Sequence, residues 1–366
     1  MDVNISDPAP QLVDLCAQFC VPKPVGIAMI GASPEGERAI RIFRNLGWDV
    51  VGIYDADVGK IGKEFCGLRV KSTGDVVDLD RTTRVVVASH KGAVSLREVR
   101  ERGFDFVVSF PSLQCVLPQL FEPHVFYRNW YADLANESVE IEWLSRHFGD
   151  AKSRETLAAI LEWRRTFDDS LVAQYITKYP YFADDIDGLS VAGTYVDAGA
   201  YNGDSAMLFI ERASHYERIY AFEPDPKTFE TLQANFSENS KVIPVRAGIG
   251  ARKSIERFRS DSSRAALFAD DGDIEVEITS IDEYFGDDAV TYIKMNIEGL
   301  ELDALNGARA VIGKHHPFLA IAAYHAPNHL WKVPRIITEL SPGYRLFLRQ
   351  HDVGSVETVI YGVPVD

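Results

Sequence analysis

Two hydrophobic patterns alternate along this chain. Short unbroken apolar runs read as buried strands, and stretches with apolar positions every three or four residues read as helices. Runs at 25–30, 49–53, 84–88 and 104–109 predict strands, and 37–46 predicts a helix stopped at Gly47. Ahead of them, Leu12, Leu15, Cys16 and Phe19 fall at helical spacing in a leading arm over 1–22. From about 126 the chain turns rich in Arg, Glu, Trp and Leu, and helices are predicted at 138–148, 153–165 and 170–177. A second alternation begins near Thr194. It predicts strands at 194–197, 219–223, 241–246, 274–279, 291–296, 317–324, 344–350 and 356–362, with helices at 203–213, 226–237, 300–312 and 330–340. Strands separated by helices imply a parallel sheet. The last two strands lie close together and alternate, Leu346 and Leu348 against Val356, Thr358 and Ile360, and predict an antiparallel hairpin at that sheet's edge. The expected fold is therefore α/β: a smaller α/β domain with its arm over 1–125, a helical bridge over 126–187, and a doubly wound sheet domain over 188–366.

Chemistry concentrates where the second alternation begins. The segment Tyr195-Val196-Asp197-Ala198-Gly199-Ala200-Tyr201-Asn202-Gly203-Asp204 is an apolar strand ending in an acid, followed by a two-glycine turn into a helix. The next strand ends Ala221-Phe222-Glu223-Pro224-Asp225. Glycines let a backbone approach a ligand closely, and an acid at the end of the second strand can take both hydroxyls of a ribose. The loop reads Asp-x-Gly-x-x-x-Gly-Asp in place of Gly-x-Gly-x-x-Gly, which points to S-adenosylmethionine over a dinucleotide, and so to methyl transfer. Asp197 is expected to accept from the ammonium group of that cofactor, while a helix cap is the alternative role for Asp204 and for Asp225.

Composition narrows the partners. The net charge is −16, which argues against nucleic acid and anionic membranes, since both reward clustered Lys and Arg. No apolar run is long enough to span a bilayer, and residues 1–10 carry acids with no apolar stretch, so the expected location is cytoplasmic. Cys16, Cys20, Cys66 and Cys115 form no zinc or redox spacing and are expected to be reduced thiols.

The loop, the Ala221–Pro226 turn, Ile293-Lys294-Met295-Asn296-Ile297-Glu298-Gly299-Leu300-Glu301, Tyr324-His325, Leu348-Arg349-Gln350-His351 and Glu357-Thr358-Val359-Ile360-Tyr361 together resemble the FkbM-type methyltransferases. That resemblance implies a class I methyltransferase-like sheet, S-adenosylmethionine as cofactor, and a hydroxyl acceptor on a sugar, glycan precursor or polyketide-like product. One departure is Asn296, where the family usually has Asp. The first domain is similar to small Rossmann-like domains fused to sugar-modifying enzymes, through Gly31-x-Ser33-x-x-Gly36, Gly47-x-x-Val50-x-Gly52-x-x-Asp55, Lys60-x-Gly62 and Gly67.

The candidate cofactor-binding residues are Asp197, Gly199, Ala200, Asn202, Gly203, Asp204, Glu223, Pro224, Asn296 and Glu298. Glu298 and Glu301 could instead be acids complementing a helix dipole. His325, at a strand's carboxyl end, is the candidate general base, with His329 and His351 as weaker alternatives. No metal is expected, because Asn296 removes a hard anionic ligand. The partner is expected to be a small-molecule or glycan acceptor, with no nucleic acid and no membrane insertion, and self-association into a homo-oligomer stays open. Two rivals remain. One is a nucleotide- or NAD-binding oxidoreductase working from Gly31, Ser33, Gly36 and Asp55. The other is a scaffold that binds the cofactor without catalysis.

Overall fold

The computed structural model describes residues 6–24, 26–89, 93–186, 188, 193–259, 267–268, 274–354 and 356–365. The chain divides into two compact units. The first comprises 1–137, 158–174 and 352–356, and the second 138–157, 175–351 and 357–366. The helix Ala151–Thr166 contributes to both. Among the described residues, no helix is long and apolar enough to cross a membrane.

Unit 1 is built on β1 (Ile27–Ile30), β2 (Val50–Asp55), β3 (Glu64–Phe65), β4 (Leu68–Ser72), β5 (Arg84–Val87) and β6 (Val107–Ser109), in the order β3-β4-β2-β1-β5-β6. All neighbours are parallel except the short β3–β4 pair. Ala28, Ile30, Tyr54, Val85, Val87 and Phe104 form one buried cluster. The β3–β4 pair and the helices Ala93–Glu101 and Phe110–Val116 were not expected from the sequence.

Unit 2 carries a seven-stranded sheet made of β7 (Thr194–Ala198), β8 (Arg218–Phe222), β9 (Val242–Val245), β14 (Tyr292–Met295), β15 (Phe318–Ala322), β16 (Tyr344–Gln350) and β17 (Thr358–Pro364). The order is β16-β17-β15-β14-β7-β8-β9. β7, β8, β9, β14 and β15 run parallel, and the final hairpin adds antiparallel, as expected. The chain leaves β7 toward β8 and β9, then returns to β14 on the other side. That reversal is the switch point at which doubly wound sheets hold ligands. Central strands are buried at every position, as strands covered on both faces must be. Aromatic rings fill the core beneath them: Tyr195 stacks on Phe209 at 4.4 Å and Tyr292 on Phe318 at 4.7 Å between centroids.

Two expectations are revised. The strand expected at 274–279 forms, but outside the main sheet. With β10 (Gly248–Ile249), β11 (Ser254–Arg259) and β12 (Leu267–Phe268), β13 (Ile274–Thr279) makes a separate sheet in the order β10-β13-β11-β12. Its side chains alternate between exposure and burial, which a strand at the centre of the main sheet could not do. The single helix expected at 300–312 is two, Glu301–Asn306 and Arg309–His315. Gly307 lies between them because a Cβ there would come within 2.2 Å of the Gly250 carbonyl oxygen. The second helix restarts with the carboxylate of Asp282 accepting from the N–H groups of Ala310 and Val311, both at 2.9 Å.

Candidate active site

The glycine turn after β7 is dictated by steric contact. Gly199 has φ +77° and Gly203 φ +92°, a region that L side chains rarely adopt. A Cβ at Gly199 would sit 2.0 Å from the carbonyl oxygen of Asn296, directly across the switch point. A Cβ at Gly203 would sit 2.2 Å from the ring of Phe236. The loop is hung on the end of β8, where the N–H groups of Gly199 and Ala200 donate to the Phe222 carbonyl at 3.1 and 2.9 Å. Glu223 closes the arrangement. One of its oxygens accepts from the Tyr201 N–H at 3.0 Å and the other from the Asp225 N–H at 2.9 Å. Burial pushes its carboxyl up to about 7, against the opposing pull of those two donors.

These residues border a cavity of about 290 Å³ at the carboxyl ends of the strands. Gly199, Asp204, Glu223, Pro224, Asn296 and Glu298 line it. Asp197, Ala200, Asn202, Gly203 and His325 belong to its surroundings and are not among the lining residues. Ala200 is fully buried in the loop, and the Asn202 side chain accepts from the Asp204 N–H at 3.2 Å. Asp225 lines the cavity and also caps the helix Pro226–Asn235, accepting from the Thr228 N–H at 2.7 Å.

Asp197 is fully buried and engaged on both oxygens. One meets Lys294 Nζ at 2.9 Å, and the other accepts from Ser205 Oγ at 2.6 Å. Lys294 also donates to the Gly199 carbonyl at 2.8 Å, so a buried ion pair ties β14 to the glycine loop. Sequence reasoning assigned Lys294 no role. The available signal was a lysine inside an otherwise apolar strand, which burial alone would forbid without an acidic partner. The register supplies that partner, with Lys294 directly opposite Asp197.

The second wall is the turn after β14. Glu298 has φ +55° and Gly299 φ +108°, two successive left-handed residues that lead into the helix Glu301–Asn306. Glu301 is fully buried beneath this turn. It accepts from the Ile297 N–H at 2.9 Å, meets His325 Nδ1 at 2.7 Å, and lies 3.3 Å from His329 Nδ1. Burial alone would raise the Glu301 carboxyl, but the two histidines hold it far below the usual carboxylate range. His325 is also fully buried, and its Nε2 lies 3.7 Å from Glu298. Burial favours its neutral form, yet the carboxylates of Glu301 and Glu298 outweigh that and raise it to about 9. For Glu298 burial dominates and pushes the carboxyl up to about 7, although His325 opposes it. Asn296 accepts from the Tyr324 hydroxyl at 3.2 Å. Tyr181 and Glu357 complete this side of the cavity, and neither was anticipated. His351 is committed elsewhere, between the Thr177 carbonyl and the Tyr361 hydroxyl, and burial lowers it to about 4. Among the described residues, no group of three His, Cys, Asp or Glu side chains could hold a metal ion.

In unit 1 the corresponding acid and loop are bonded within the protein. Asp55 accepts from the Ala32 N–H at 2.8 Å and the Asp57 N–H at 2.8 Å, and pairs with Lys60 at 3.2 Å. Ser33 caps its own helix, accepting from the Gly36 N–H at 3.2 Å while donating to the Ala88 carbonyl at 3.1 Å.

Comparison with known proteins agrees with this architecture. Residues 197–352 match the family model of the methyltransferase FkbM domain. Among solved structures, methyltransferase FkbM from Methylobacillus flagellatus KT aligns with a TM-score of 0.73 at 23% identity, covering 99% of this chain and 95% of that one. An rRNA methylase from Streptococcus thermophilus aligns at a TM-score of 0.33 and 14% identity, over 49% of this chain and 91% of that one. No curated protein sequence matches significantly. Over residues 197–352 the chain is thus similar to methyltransferase FkbM domains, which supports a methyltransferase.

Proposed function

We propose that unit 2 binds S-adenosylmethionine at the carboxyl end of its sheet and methylates a hydroxyl of a small-molecule or glycan acceptor. One observation carries the cofactor reading: Gly199, Glu223 and Asn296 border a single cavity at the switch point, with no room for a Cβ at Gly199. The residues fit the group. Glu223 keeps lone pairs for ribose hydroxyls beyond its two backbone donors, and the carboxylates of Asp204, Glu223, Glu298 and Glu357 suit a cationic ligand. When bound, S-adenosylmethionine supplies an electrophilic methyl group on a sulfonium. The chain's own contribution is placement, which is worth up to ~7–11 kcal/mol in well-oriented systems. Tyr181, Asn296, Glu298 and Glu357 line the same cavity and could hold an acceptor.

The hydroxyl-acceptor class rests on likeness to the family and is tested directly. The full chain is incubated with methyl-tritiated S-adenosylmethionine and a panel of sugars, sugar nucleotides and hydroxylated polyketides. Label retained in product through mild base, as an ether requires, is the expected result. Label found only on amine or carboxyl acceptors would overturn it.

A further inference from the structure

We propose that Glu298 takes the acceptor's proton, and that His325 is a positioning residue acting through Glu298. This rests on the methyltransferase reading above and adds the identity of the base. Glu298 lines the cavity on the turn after β14, with its backbone pinned at φ +55°. Its Oε2 is buried and has no hydrogen-bond partner among the described residues, while its Oε1 lies 3.7 Å from His325 Nε2. His325 is placed differently. It is fully buried, is not part of the cavity wall, and has its Nδ1 at 2.7 Å from the fully buried Glu301. Held between two carboxylates, the ring is an imidazolium at neutral pH, with both nitrogens protonated and no lone pair to accept with.

The groups facing Glu298 come from four elements: Lys294 on β14, Glu301 on the helix Glu301–Asn306, Tyr324 and His325 after β15, and Glu357 before β17. Glu301 and Glu357 raise its proton affinity, and His325 and Lys294 restrain it. The balance, after burial, leaves a carboxyl near 7, which is where a base for neutral-pH catalysis works best. Glu223 titrates in the same range but has a backbone N–H donor on each oxygen. In the reaction, the acceptor O–H bond breaks and its proton goes to the Glu298 carboxylate. The oxygen's electron pair forms the new bond to the donor's methyl carbon, and the C–S pair stays on sulfur. His325 and Glu301 keep their protonation states throughout.

The test reads protonation in the full chain without needing the acceptor. Glutamate side chains are labelled with carbon-13 at the carboxyl and titrated by NMR. Glu298 and Glu223 are assigned by the signals lost in E298Q and E223Q. We expect Glu298 to titrate near 7 and to shift upward in H325Q, where the restraining positive charge is gone, while Glu223 stays in place. A merely structural His325 would leave the Glu298 midpoint unmoved in a folded H325Q, and that would overturn its positioning role. If H325Q fails to fold by circular dichroism, the native titration decides: a Glu298 midpoint in the ordinary carboxylate range near 4.3 overturns the base assignment. S-adenosylhomocysteine binding by the native chain is measured alongside. Its absence would sink the methyltransferase reading itself, whereas binding with an ordinary Glu298 would sink only this inference.

Discussion

The two sheets of this protein solve the same geometric problem and arrive at opposite results. In each, a glycine turn follows the strand at the switch point, Gly31 after β1 and Gly199 after β7, and each glycine lies against a carbonyl across the switch. A Cβ would come within 2.6 Å of the Ala88 oxygen in unit 1 and 2.0 Å of the Asn296 oxygen in unit 2. In each, an acid ends the next strand, Asp55 or Glu223, and accepts two backbone N–H groups. The difference lies in what comes after the glycine. Unit 1 places Ser33 at the helix N-cap, where its hydroxyl bonds both to its own helix and to the Ala88 carbonyl, and Lys60 covers Asp55. Unit 2 places Gly203 at that cap with no side-chain bond, and a cavity remains. A glycine turn and an acid are thus a scaffold common to both. What differs is the residue at the cap, Ser33 in unit 1 and Gly203 in unit 2.

The largest test of that contrast is a pair of alanines. G199A forces a Cβ into the Asn296 carbonyl at positive φ, and S-adenosylhomocysteine affinity should fall at least about 100-fold, some 3 kcal/mol. G31A is strained in the same way but should lower only the melting temperature of unit 1, with affinity unchanged by calorimetry. Equal loss in both variants would break the comparison.

Next in size is a pH effect confined to unit 2. His325 rises from 6.5 to about 9 on folding, so its stabilisation is fully present below 6.5 and lost as pH climbs through 9. Glu223 and Glu298, raised to about 7, lose in the same direction but at lower pH, above the ordinary carboxylate value. Glu301 is depressed, so its contribution is present above 4.5 and lost as pH falls. Hydrogen exchange at Ile293 and Ile321 should therefore show protection falling between pH 6.5 and 9, by at most about 3 kcal/mol, with that loss missing in H325Q. Flat protection across this window would contradict the His325–Glu301 pair.

The smallest expected effect lies in unit 1. Fluorescence titration with NADH should give no saturable signal from the native chain, and D55N should not change that. Saturable binding abolished by D55N would show that the unit 1 mouth opens for a nucleotide.

Most of the scaffold was legible because strands buried on both faces announce themselves. Phe318-Leu319 begins an unbroken apolar run, Tyr292-Ile293 begins one broken only by Lys294, and the glycine turn was readable from its neighbours. Sheet membership was harder. Ile274-Glu275-Val276-Glu277-Ile278 alternates, which marks a strand with one wet face, but nothing local says which strand it pairs with, and Ser254–Arg259 was missed altogether. Within the site, the acids were visible at strand ends, while their division of labour was not. That Asp197 faces Lys294 depends on register across β7 and β14, and that His325 sits between Glu301 and Glu298 depends on how two turns stack. Neither is a property of any one segment. Ser33 was visible as a motif residue, yet its closing bond to Ala88 runs to a strand far along the chain.

The central claim is that the open mouth in unit 2 is a cofactor site read by Glu223. It is tested most directly by calorimetric titration of the full chain with S-adenosylhomocysteine, native against Glu223→Ala. The account predicts saturable single-site binding by the native chain and a loss of about 1.5–3 kcal/mol in the variant, the cost of removing a charge-assisted bond. Undiminished affinity in Glu223→Ala, or no binding by the native chain, would contradict it.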